Sequence, residues 1–309
     1  MASPYGWHLL GQGLNAMLPV MGSFRLAQRL AIWHGRWSLA DRNAVRANLT
    51  AITNWPASQV EARLDEVFAN FGRYLVEFFN AHRLSQIVVT HQGAEHLIHA
   101  TAGNRGAILL AAHVGNWELG AVLLRRMGWR VTVVALSHRD RRINQRFEDA
   151  RSRCGVETLP LGEQGTAQRC LQALSRGYLV GLVGDRAFGT KGIEVRLFDR
   201  QMIVPRGPAL LSLRSGAALV PTFFIRETPW HFRLITEEPI WPSEHHHIPQ
   251  LLHTLSQHAA AAIERVVRRV PTQWLMFQSL DQLAQGARMP RPGAAASGPA
   301  AAWQLAEQA

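Results

Sequence analysis

A histidine and a glutamate lie where a buried strand is predicted to give way to a helix. The stretch AILLAAHVGNWELG at 107–120 ends an apolar run on His113 and places Glu118 five positions later. An imidazole can act as a general base near neutral pH, and a carboxylate bonded to its other nitrogen would fix its tautomer and stabilise the imidazolium. The stretch contains no serine or cysteine. The nucleophile would therefore be a hydroxyl or amine of the substrate, attacking a carbonyl.

The two side chains can act together only if His113 precedes the helix. Positions five apart on one α-helix differ by about 140° around its axis, so they would point to different sides. Gly115 and Asn116 permit a tight turn after the strand, and Glu118 would then come from the start of the helix. The carboxyl ends of parallel strands are where α/β sheets place their sites, and the positive end of the following helix faces the same point.

Strand and helix patterns alternate from about residue 104, which predicts an α/β fold with a mixed, mostly parallel sheet covered by helices. Short apolar runs predict strands at 106–112, 130–136, 156–161, 178–185 and 193–198, and paired strands at 218–227 and 231–240. Helices are predicted between them at 140–153, 164–176, 206–216 and 249–269.

Three regions follow from the same patterns. Residues 1–95 are predicted to form a helical N-terminal region in possible contact with a membrane, residues 96–285 the α/β domain, and residues 286–309 a flexible tail rich in Ala, Pro and Gly. Within the first region, the segment 56–82 predicts a long helix that begins with a capping box of Ser58 and Glu61.

The composition favours an anionic partner. The formal net charge is +11, from 33 basic against 22 acidic residues, and Lys191 is the single lysine. The guanidinium fork suits phosphate and carboxylate, so phospholipid headgroups, an acidic protein, a nucleotide-like cofactor and nucleic acid are candidates. The basic run SHRDRRINQR at 137–146 could bind such a partner or could be a solvated helix face. Cys154 and Cys170 lack ligand-like spacing, which favours two reduced thiols.

The first residues predict contact with a membrane surface rather than a membrane span. The first 24 residues carry no Asp, Glu, Lys or Arg, so the basic region of a signal peptide is missing. Polar residues, Pro and several glycines interrupt the apolar run at 6–23. Leu10, Leu14, Met17 and Met21 fall near helical spacing, which indicates an amphipathic helix lying either on a membrane or on the rest of the protein.

The stretch AILLAAHVGNWELG resembles the signature of the bacterial lipid A biosynthesis (late) acyltransferase family, which has a His-x4-Asp/Glu motif with an Asn-Trp-Glu core. Other elements resemble the family in the same order, over roughly residues 30–280. They are QGAEHLIHATAGNRG (92–106), GVETLPL (155–161) with Arg151 upstream, VGDRAFGTKGIEVRLF (183–198), VPRGPALLSLRSGAALVPTFF (204–224) and PTQWLMF (271–277). A single His-x4-Glu is weak, whereas several ordered elements are specific.

This resemblance implies a glycerol-phosphate acyltransferase-like fold and a reaction. A fatty acyl chain would pass from an acyl thioester, on acyl-carrier protein or coenzyme A, to a hydroxyl or amine of a glycolipid or related lipid. No bound cofactor, metal or covalent acyl-enzyme is implied. His113 would be the base and Glu118 its orienting partner. Residues expected to shape the turn, bind substrate or support the site are Asn116, Trp117, Arg151, Asp185 and Arg186.

The resemblance also implies a location at the cytoplasmic face of the inner membrane. Because residues 6–23 are more polar than the family's usual membrane helix, we expect a peripheral or weakly anchored protein. The acceptor need not be lipid A itself. An ornithine lipid, another glycolipid, a phosphatidylinositol mannoside-like molecule or an aryl-polyene-type product would suit the same scaffold.

Two other functions stay open on the sequence. A metal-dependent hydrolase could combine His113 and Glu118 with His138 and Asp185, and activity that survives strong chelation would remove this option. A basic chain could instead bind nucleic acid, although no RNP-type motif, zinc-finger spacing or helix-turn-helix is evident. Binding without a steep salt response would eliminate that function. The run at 245–247, three histidines in a predicted loop, is expected to be solvated rather than to bind metal.

Overall fold

The computed structural model describes residues 20–84, 86–138, 140–187, 192–243 and 248–284. The predictions for residues 6–19, for Arg139 in the basic run, for the three histidines at 245–247 and for the tail at 286–309 fall outside these ranges.

From β2 onward, strands and helices follow one another largely as the sequence predicts. The strands are β1 (Val88–Gln92), β2 (Ala107–Ala111), β3 (Val131–Ala135), β4 (Glu157–Pro160), β5 (Leu179–Val183), β6 (Gly192–Leu197), β7 (Arg200–Pro205), β8 (Leu219–Thr228) and β9 (His231–Thr236). The helices are α1 (Val20–Trp37), α2 (Leu39–Ile52), α3 (Ala57–Phe79), α4 (Ala94–Ala100), α5 (Trp117–Arg126), α6 (Arg141–Arg153), α7 (Thr166–Ser175), α8 (Gly207–Ser215), α9 (Ile248–Arg269) and α10 (Leu280–Ala284).

The strands form a mixed, mostly parallel sheet, which confirms the predicted fold class. Within the described ranges the order of this seven-stranded sheet is β1-β9-β8-β2-β5-β3-β4. Neighbouring strands are parallel except β8 and β9, which form the antiparallel pair predicted on either side of Thr228-Pro229. Strands β6 and β7 form a separate antiparallel hairpin. The predicted strand at 193–198 is therefore β6, and it lies outside the main sheet.

The register of β2 and β5 brings two distant parts of the chain to one edge of the sheet. These strands pair in parallel from Ala107 opposite Leu179 to Ala111 opposite Val183. The residues that follow each strand therefore emerge side by side. His113 and Asp185 each come two residues after the end of their strand.

Helices cover both faces of the central strand, which is why β2 is apolar throughout. Leu110 packs on one face in a cluster with Ile263 and Val266 of α9. Leu109 packs on the other face in a cluster with Leu119 and Val122 of α5. Alternate side chains of β2 thus anchor the helical layers on the two faces of the sheet.

Helices α1 to α3 form the predicted helical N-terminal region and pack closely on one another. A Cβ at Gly72 of α3 would lie 2.6 Å from the carbonyl oxygen of Ala27 in α1, so the two backbones approach without a side chain between them. The predicted capping box is wrong. Helix α3 begins after Pro56, Ser58 lies inside it, and Glu61 pairs with Arg46 instead.

The turn from β2 into α5 requires glycine at position 115. Gly115 has a φ of +67°, and a Cβ there would lie 2.1 Å from the carbonyl oxygen of Phe224 in β8. Backbone hydrogen bonds hold the turn: the amide of Gly115 donates to Gln273 (3.0 Å), that of Asn116 to Phe224 (2.8 Å), and that of Leu275 to His113 (2.7 Å). The turn is therefore fixed between β8 and the segment that follows α9.

Replacing Gly115 by Ala should cost much more stability than the same change at Gly216. Both residues have left-handed backbone, with φ of +67° and +71°, but a Cβ at Gly216 would meet no atom within 4 Å. We expect Gly216→Ala to lower the free energy of unfolding by about 1 kcal/mol and Gly115→Ala by about 3 kcal/mol or more, since only the latter must displace β8. Urea unfolding followed by circular dichroism measures both, and equal losses would contradict the close approach.

Candidate active site

A buried carboxylate holds the imidazole of His113. Nδ1 of His113 lies 2.8 Å from Oδ1 of Asp185, and the backbone amide of His113 donates to Oδ2 of the same carboxylate at 3.0 Å. The indole Nε1 of Trp274 donates to Oδ2 at 2.9 Å. The carboxylate therefore accepts hydrogen bonds from two separate parts of the chain, and its side chain has no exposed surface.

These contacts keep Asp185 ionised. Burial by itself raises the pKa of Asp185, but the charge of His113 and the hydrogen bonds from His113 and Trp274 outweigh burial, so that the pKa lies below its ordinary value of 3.8. The ionised carboxylate contributes stability that is fully present above pH 3.8 and is lost as the pH falls through the lower value of the folded state. The ionised Asp185 therefore accepts a hydrogen bond from Nδ1–H of a neutral imidazole, which leaves Nε2 as the nitrogen that can act as a base.

The structure corrects the predicted partner of His113. Glu118, in the first turn of α5, forms a two-pronged ion pair with Arg151 of α6, with Nε to Oε2 at 2.8 Å and Nη2 to Oε1 at 2.5 Å. Both side chains are more than 90% buried. The partner that orients the imidazole is Asp185, which the sequence ranked below Glu118. The sequence could not show this because Asp185 is adjacent to His113 only through the parallel register of β2 and β5.

Arg151 has a specific place in this arrangement. Burial lowers the pKa of Arg151, but the Glu118 carboxylate outweighs it and raises the pKa, so the guanidinium stays charged. Its central carbon also lies 5.7 Å from the ring centre of Phe147. Glu118 and Arg151 both line the cavity described below. The pair therefore joins α5 to α6 at the wall of the site.

The side chain of Asn116 supports the turn after β2 and does not line the described part of the substrate cavity. Its side chain is fully buried and is not among the described residues that line the cavity. Its Oδ1 accepts from the amide of Leu119 (3.0 Å), which caps α5, and its Nδ2 donates to Glu77 of α3 at 2.8 Å. The predicted role in shaping the turn fits this position, whereas direct binding of substrate by Asn116 does not.

A second buried ion pair holds Asn116 and was not found from the sequence. Nε and Nη2 of Arg226 in β8 donate to Glu77 at 2.6 and 2.5 Å, and Nη1 reaches Asn70 at 3.3 Å. The signal was available: Glu77 is a single acid in the otherwise apolar run YLVEFF of a helix. A lone charge on a buried helical face requires a partner, but the sequence does not say which one.

An aromatic wall stands beside His113. The ring of Trp117 meets the imidazole edge-on, with ring centres 5.0 Å apart. Tyr74 of α3 stacks on the ring of Trp117, with ring centres 4.6 Å apart. Tyr74 and Trp117 both line the cavity. This position fits the prediction that Trp117 lies at the substrate, and it makes α3 a direct neighbour of the site.

A cavity of about 900 Å³ opens beside His113 and is mostly apolar. One wall is a face of the sheet, which contributes Leu109, Ala111, Val131, Val133, Gly181, Thr222, Phe224 and Leu234. The opposite wall is α5, with Gly120, Ala121 and Leu124. Polar side chains, including Arg186, Arg206, His138 and Glu163, line other parts of the cavity wall. The volume is at the upper end of the range for small-molecule sites, roughly 300–1,000 Å³.

A second groove, of about 780 Å³, lies on the opposite face of β8 and β9. Pro221 and Ile235 line it, whereas their strand neighbours Thr222 and Leu234 line the first cavity. Its other walls are largely charged and include Glu237 and Arg265, which pair with each other. His113 lines the first cavity and not this groove, so the first cavity is the candidate active site.

The remaining predicted residues are also located. Arg186 follows Asp185, is 4% exposed and lines the cavity. His138 lines it too, with its ring 4.5 Å from that of Phe147. Among the described residues, no three His, Cys, Asp or Glu side chains are grouped as a metal site requires. Cys154 and Cys170 are free thiols, and burial raises the pKa of both.

Comparison with known proteins identifies relatives of this chain. The model of a family described as bacterial lipid A biosynthesis acyltransferase matches residues 7–280. Three curated proteins, each named phosphatidylinositol mannoside acyltransferase, are similar to it. One from Mycobacterium tuberculosis is 31% identical over 187 residues, which is 58% of this chain and 59% of the relative. One from Mycolicibacterium smegmatis is 28% identical over 240 residues, 75% of this chain and 77% of the relative.

Removing one member of the Glu118–Arg151 pair should destabilise the protein far more than replacing both. Glu118→Leu or Arg151→Met alone leaves a buried charge without its counter-charge, and we expect each to cost about 3–5 kcal/mol of unfolding free energy. The double variant removes both charges and should recover most of that loss. Urea unfolding of the four proteins gives the coupling energy. Losses that simply add would show that the two charges do not depend on each other.

Proposed function

Because the chain belongs to the bacterial lipid A biosynthesis acyltransferase family, we propose that it transfers a fatty acyl chain from an acyl thioester to a hydroxyl or amine of a glycolipid or related lipid. The donor is an acyl-coenzyme A or an acyl-carrier protein. The names of the relatives indicate a mannosylated phosphoinositide as acceptor for those proteins. For this chain the proposed acceptor class is a glycosylated membrane lipid.

A single observation carries the proposal: the base and the lipid cavity are next to each other. His113, held by Asp185, lines a mostly apolar cavity of about 900 Å³. A fatty acyl chain gains about 0.8 kcal/mol for each methylene that it buries, so such a cavity favours this kind of ligand over a polar one. The thioester carbonyl at the head of the chain would then lie at the imidazole.

The proposed reaction has one transfer and no covalent enzyme intermediate. Nε2 of His113 takes the proton of the acceptor hydroxyl or amine as its oxygen or nitrogen forms a bond to the thioester carbon. Asp185 stabilises the imidazolium through Nδ1. The tetrahedral oxyanion then collapses, the carbon–sulfur bond breaks, and the imidazolium returns the proton to the departing thiolate. The products are the acylated lipid and a free thiol.

Two cationic side chains supply positive charge at the wall of the cavity. Arg186 is buried beside Asp185, and Arg206 stands at the start of α8. Both line the cavity. A permanent positive charge in a water-poor site stabilises a developing oxyanion or a phosphate of the donor arm. The buried position of Arg186 makes it the stronger candidate for the oxyanion, which refines its predicted role as an anion-binding residue.

Changes at His113 and Asp185 should abolish transfer without unfolding the protein. We expect His113→Ala to lower turnover by about a hundredfold to ten-thousandfold, as loss of a general base does. Asp185→Asn should lower turnover by a similar factor. The amide of Asn can donate to Nδ1, which would hold the imidazole proton on Nε2. His231→Ala, at an exposed histidine of β9, is the matched control and should keep full activity.

The assay follows release of free thiol and formation of acylated lipid from a radiolabelled acyl thioester and the lipid extract of the host. Circular dichroism confirms that each variant is folded. A folded His113→Ala protein with normal turnover would refute the proposed role of this residue.

We place the protein at a membrane surface through α1. Among the described residues, eleven large apolar side chains are exposed, and five of them fall within residues 21–39: Met21, Leu30, Trp33, Trp37 and Leu39. Trp37 is 74% exposed and Trp33 52%. No helix in the described ranges is long and apolar enough to cross a bilayer. The patch therefore suits a helix that lies in the plane of the membrane interface.

Charge on the same helix favours anionic lipid. The exposed Arg25 and Arg29 precede the two tryptophans on α1, which contains no Asp or Glu. Tryptophan rings prefer the headgroup region, and each arginine near an anionic surface contributes about 1 kcal/mol of attraction. Because α1 packs on α3, which carries Tyr74 into the cavity wall, this orientation brings the bilayer near the site.

Replacing Trp33 and Trp37 together by Ala should reduce binding to anionic vesicles by at least tenfold. The two rings would supply apolar burial that two methyl groups cannot replace. Sedimentation with vesicles of phosphatidylglycerol and phosphatidylcholine measures the change. Trp241→Ala, at an exposed tryptophan outside α1, is the control and should bind as the unaltered protein does. Equal binding by all three proteins would exclude α1 as the docking surface.

A further inference from the structure

Gly181 lies in the middle of the sheet wall of the cavity. The parallel registers place it between Leu109 of β2 and Val133 of β3. All three residues line the cavity, and so do the residues two positions before or after them, Ala111, Val131, Ala135 and Val183. Side chains in register across neighbouring strands point to one face of a sheet. Position 181 therefore faces the cavity, between two side chains that are both larger.

Neither the backbone nor the packing requires glycine at this position. Gly181 does not have the left-handed φ that marks Gly115. A Cβ there would meet Cγ1 of Val133 at 3.3 Å and its next neighbour only at 3.9 Å, so a small shift of one side chain would accommodate it. Gly184, which directly follows β5, differs, because its Cβ would lie 2.6 Å from Cδ1 of Leu110.

Glycine at the centre of a strand is nevertheless costly. It loses more conformational freedom on folding than other residues and destabilises a strand by roughly 0.5–1 kcal/mol relative to Ala. The other residues of β5 are Leu and Val, the types that a buried parallel strand favours. An interior glycine without a backbone reason indicates that something approaches the strand closely. Here the approach is from the cavity.

The order of residues along the cavity shows what passes over Gly181. His113 lies beyond the carboxyl end of β2, and Gly181 is two residues, about 7 Å, before the carboxyl end of β5. Val131 and Leu124 line the cavity still further from that end, since Val131 begins β3 and Leu124 is in the last turn of α5. A chain that starts at His113 must cross Gly181 to reach them. On the opposite wall α5 also has small residues, Gly120 and Ala121.

We propose that Gly181 is a specificity-determining residue: it lets a long acyl chain cross the sheet wall, and its missing side chain sets the longest saturated chain that the cavity accepts. This inference rests on the proposed acyl transfer. Any side chain at 181 would stand in the path between the imidazole and the far end of the cavity. Donors whose chains end before that point would be unaffected, whereas longer chains would lose the contacts of every methylene beyond it.

The test measures affinity against chain length with S-alkyl phosphopantetheine thioethers from octyl to octadecyl. Their arm is common to coenzyme A and acyl-carrier protein, and they cannot be turned over. For the unaltered protein, affinity should rise with chain length up to a limit. In Gly181→Leu that limit should move to a shorter chain, with about a fourfold loss of affinity for each methylene excluded. Gly181→Ala should shorten the chain-length limit by less. This variant provides the test if Gly181→Leu does not fold.

The matched control is Val180→Leu, which adds bulk to the adjacent residue of the same strand. Val180 is fully buried in a cluster on the other face, with Leu174 and Leu219. It should lose stability and keep the chain-length profile. A uniform loss of affinity at all lengths in Gly181→Ala and Gly181→Leu, or an unchanged profile, would overturn the inference while leaving acyl transfer intact. An unaltered protein whose affinity does not rise with chain length at all would overturn both.

Discussion

The site depends on one buried carboxylate. Asp185 has no contact with water, and such a group is stable as an anion only when donors surround it. The imidazole and backbone amide of His113, after β2, and the indole of Trp274, after α9, supply those donors. The contacts that stabilise this buried charge therefore also fix the orientation of the imidazole. The glycine turn at 115 then keeps the histidine backbone where its amide can donate.

Two further buried ion pairs stabilise the structure around this carboxylate. Glu118 and Arg151 join α5 to α6 at the cavity wall, and Glu77 and Arg226 join α3 to β8. Asn116 links the second pair to the first turn of α5, because its amide donates to Glu77 while its oxygen caps the helix. The helical N-terminal region is therefore part of the framework that holds the candidate site. Its helix α3 contributes Tyr74 to the cavity and Glu77 to the support of the turn.

The sequence predicted the fold class, most of the elements and His113 at a strand end, and it did so for physical reasons. Buried parallel strands such as AILLA are continuous apolar runs, and the glycine and asparagine after His113 are typical of a strand-to-helix turn.

The sequence ranked the wrong acid first as the partner of His113. Glu118 is close to His113 along the chain, and sequence spacing is most informative about local neighbours. Asp185 becomes a neighbour only when β2 and β5 pair in register, and Trp274 only when the segment after α9 returns to the sheet. The roles of Glu77 and Arg226 were missed for the same reason, since 149 positions separate them. The capping box failed because a favourable local pattern at Ser58 competed with Pro56, whose fixed φ suits a helix start.

The matched register of β2 and β5 also determines where this protein can change its length. Between the two strands the chain leaves the sheet edge, builds β3, β4 and three helices, and returns. Beyond the turn at 113–116, loops in that excursion can grow, shrink or be exchanged with little effect on His113 and Asp185, provided that the return strand pairs as before. One residue inserted into β5 is different, because it would turn every later side chain to the opposite face and carry Asp185 away from the imidazole. Insertions and deletions are therefore tolerated in most of the connections, whereas a single inserted residue within β2 or β5 is not.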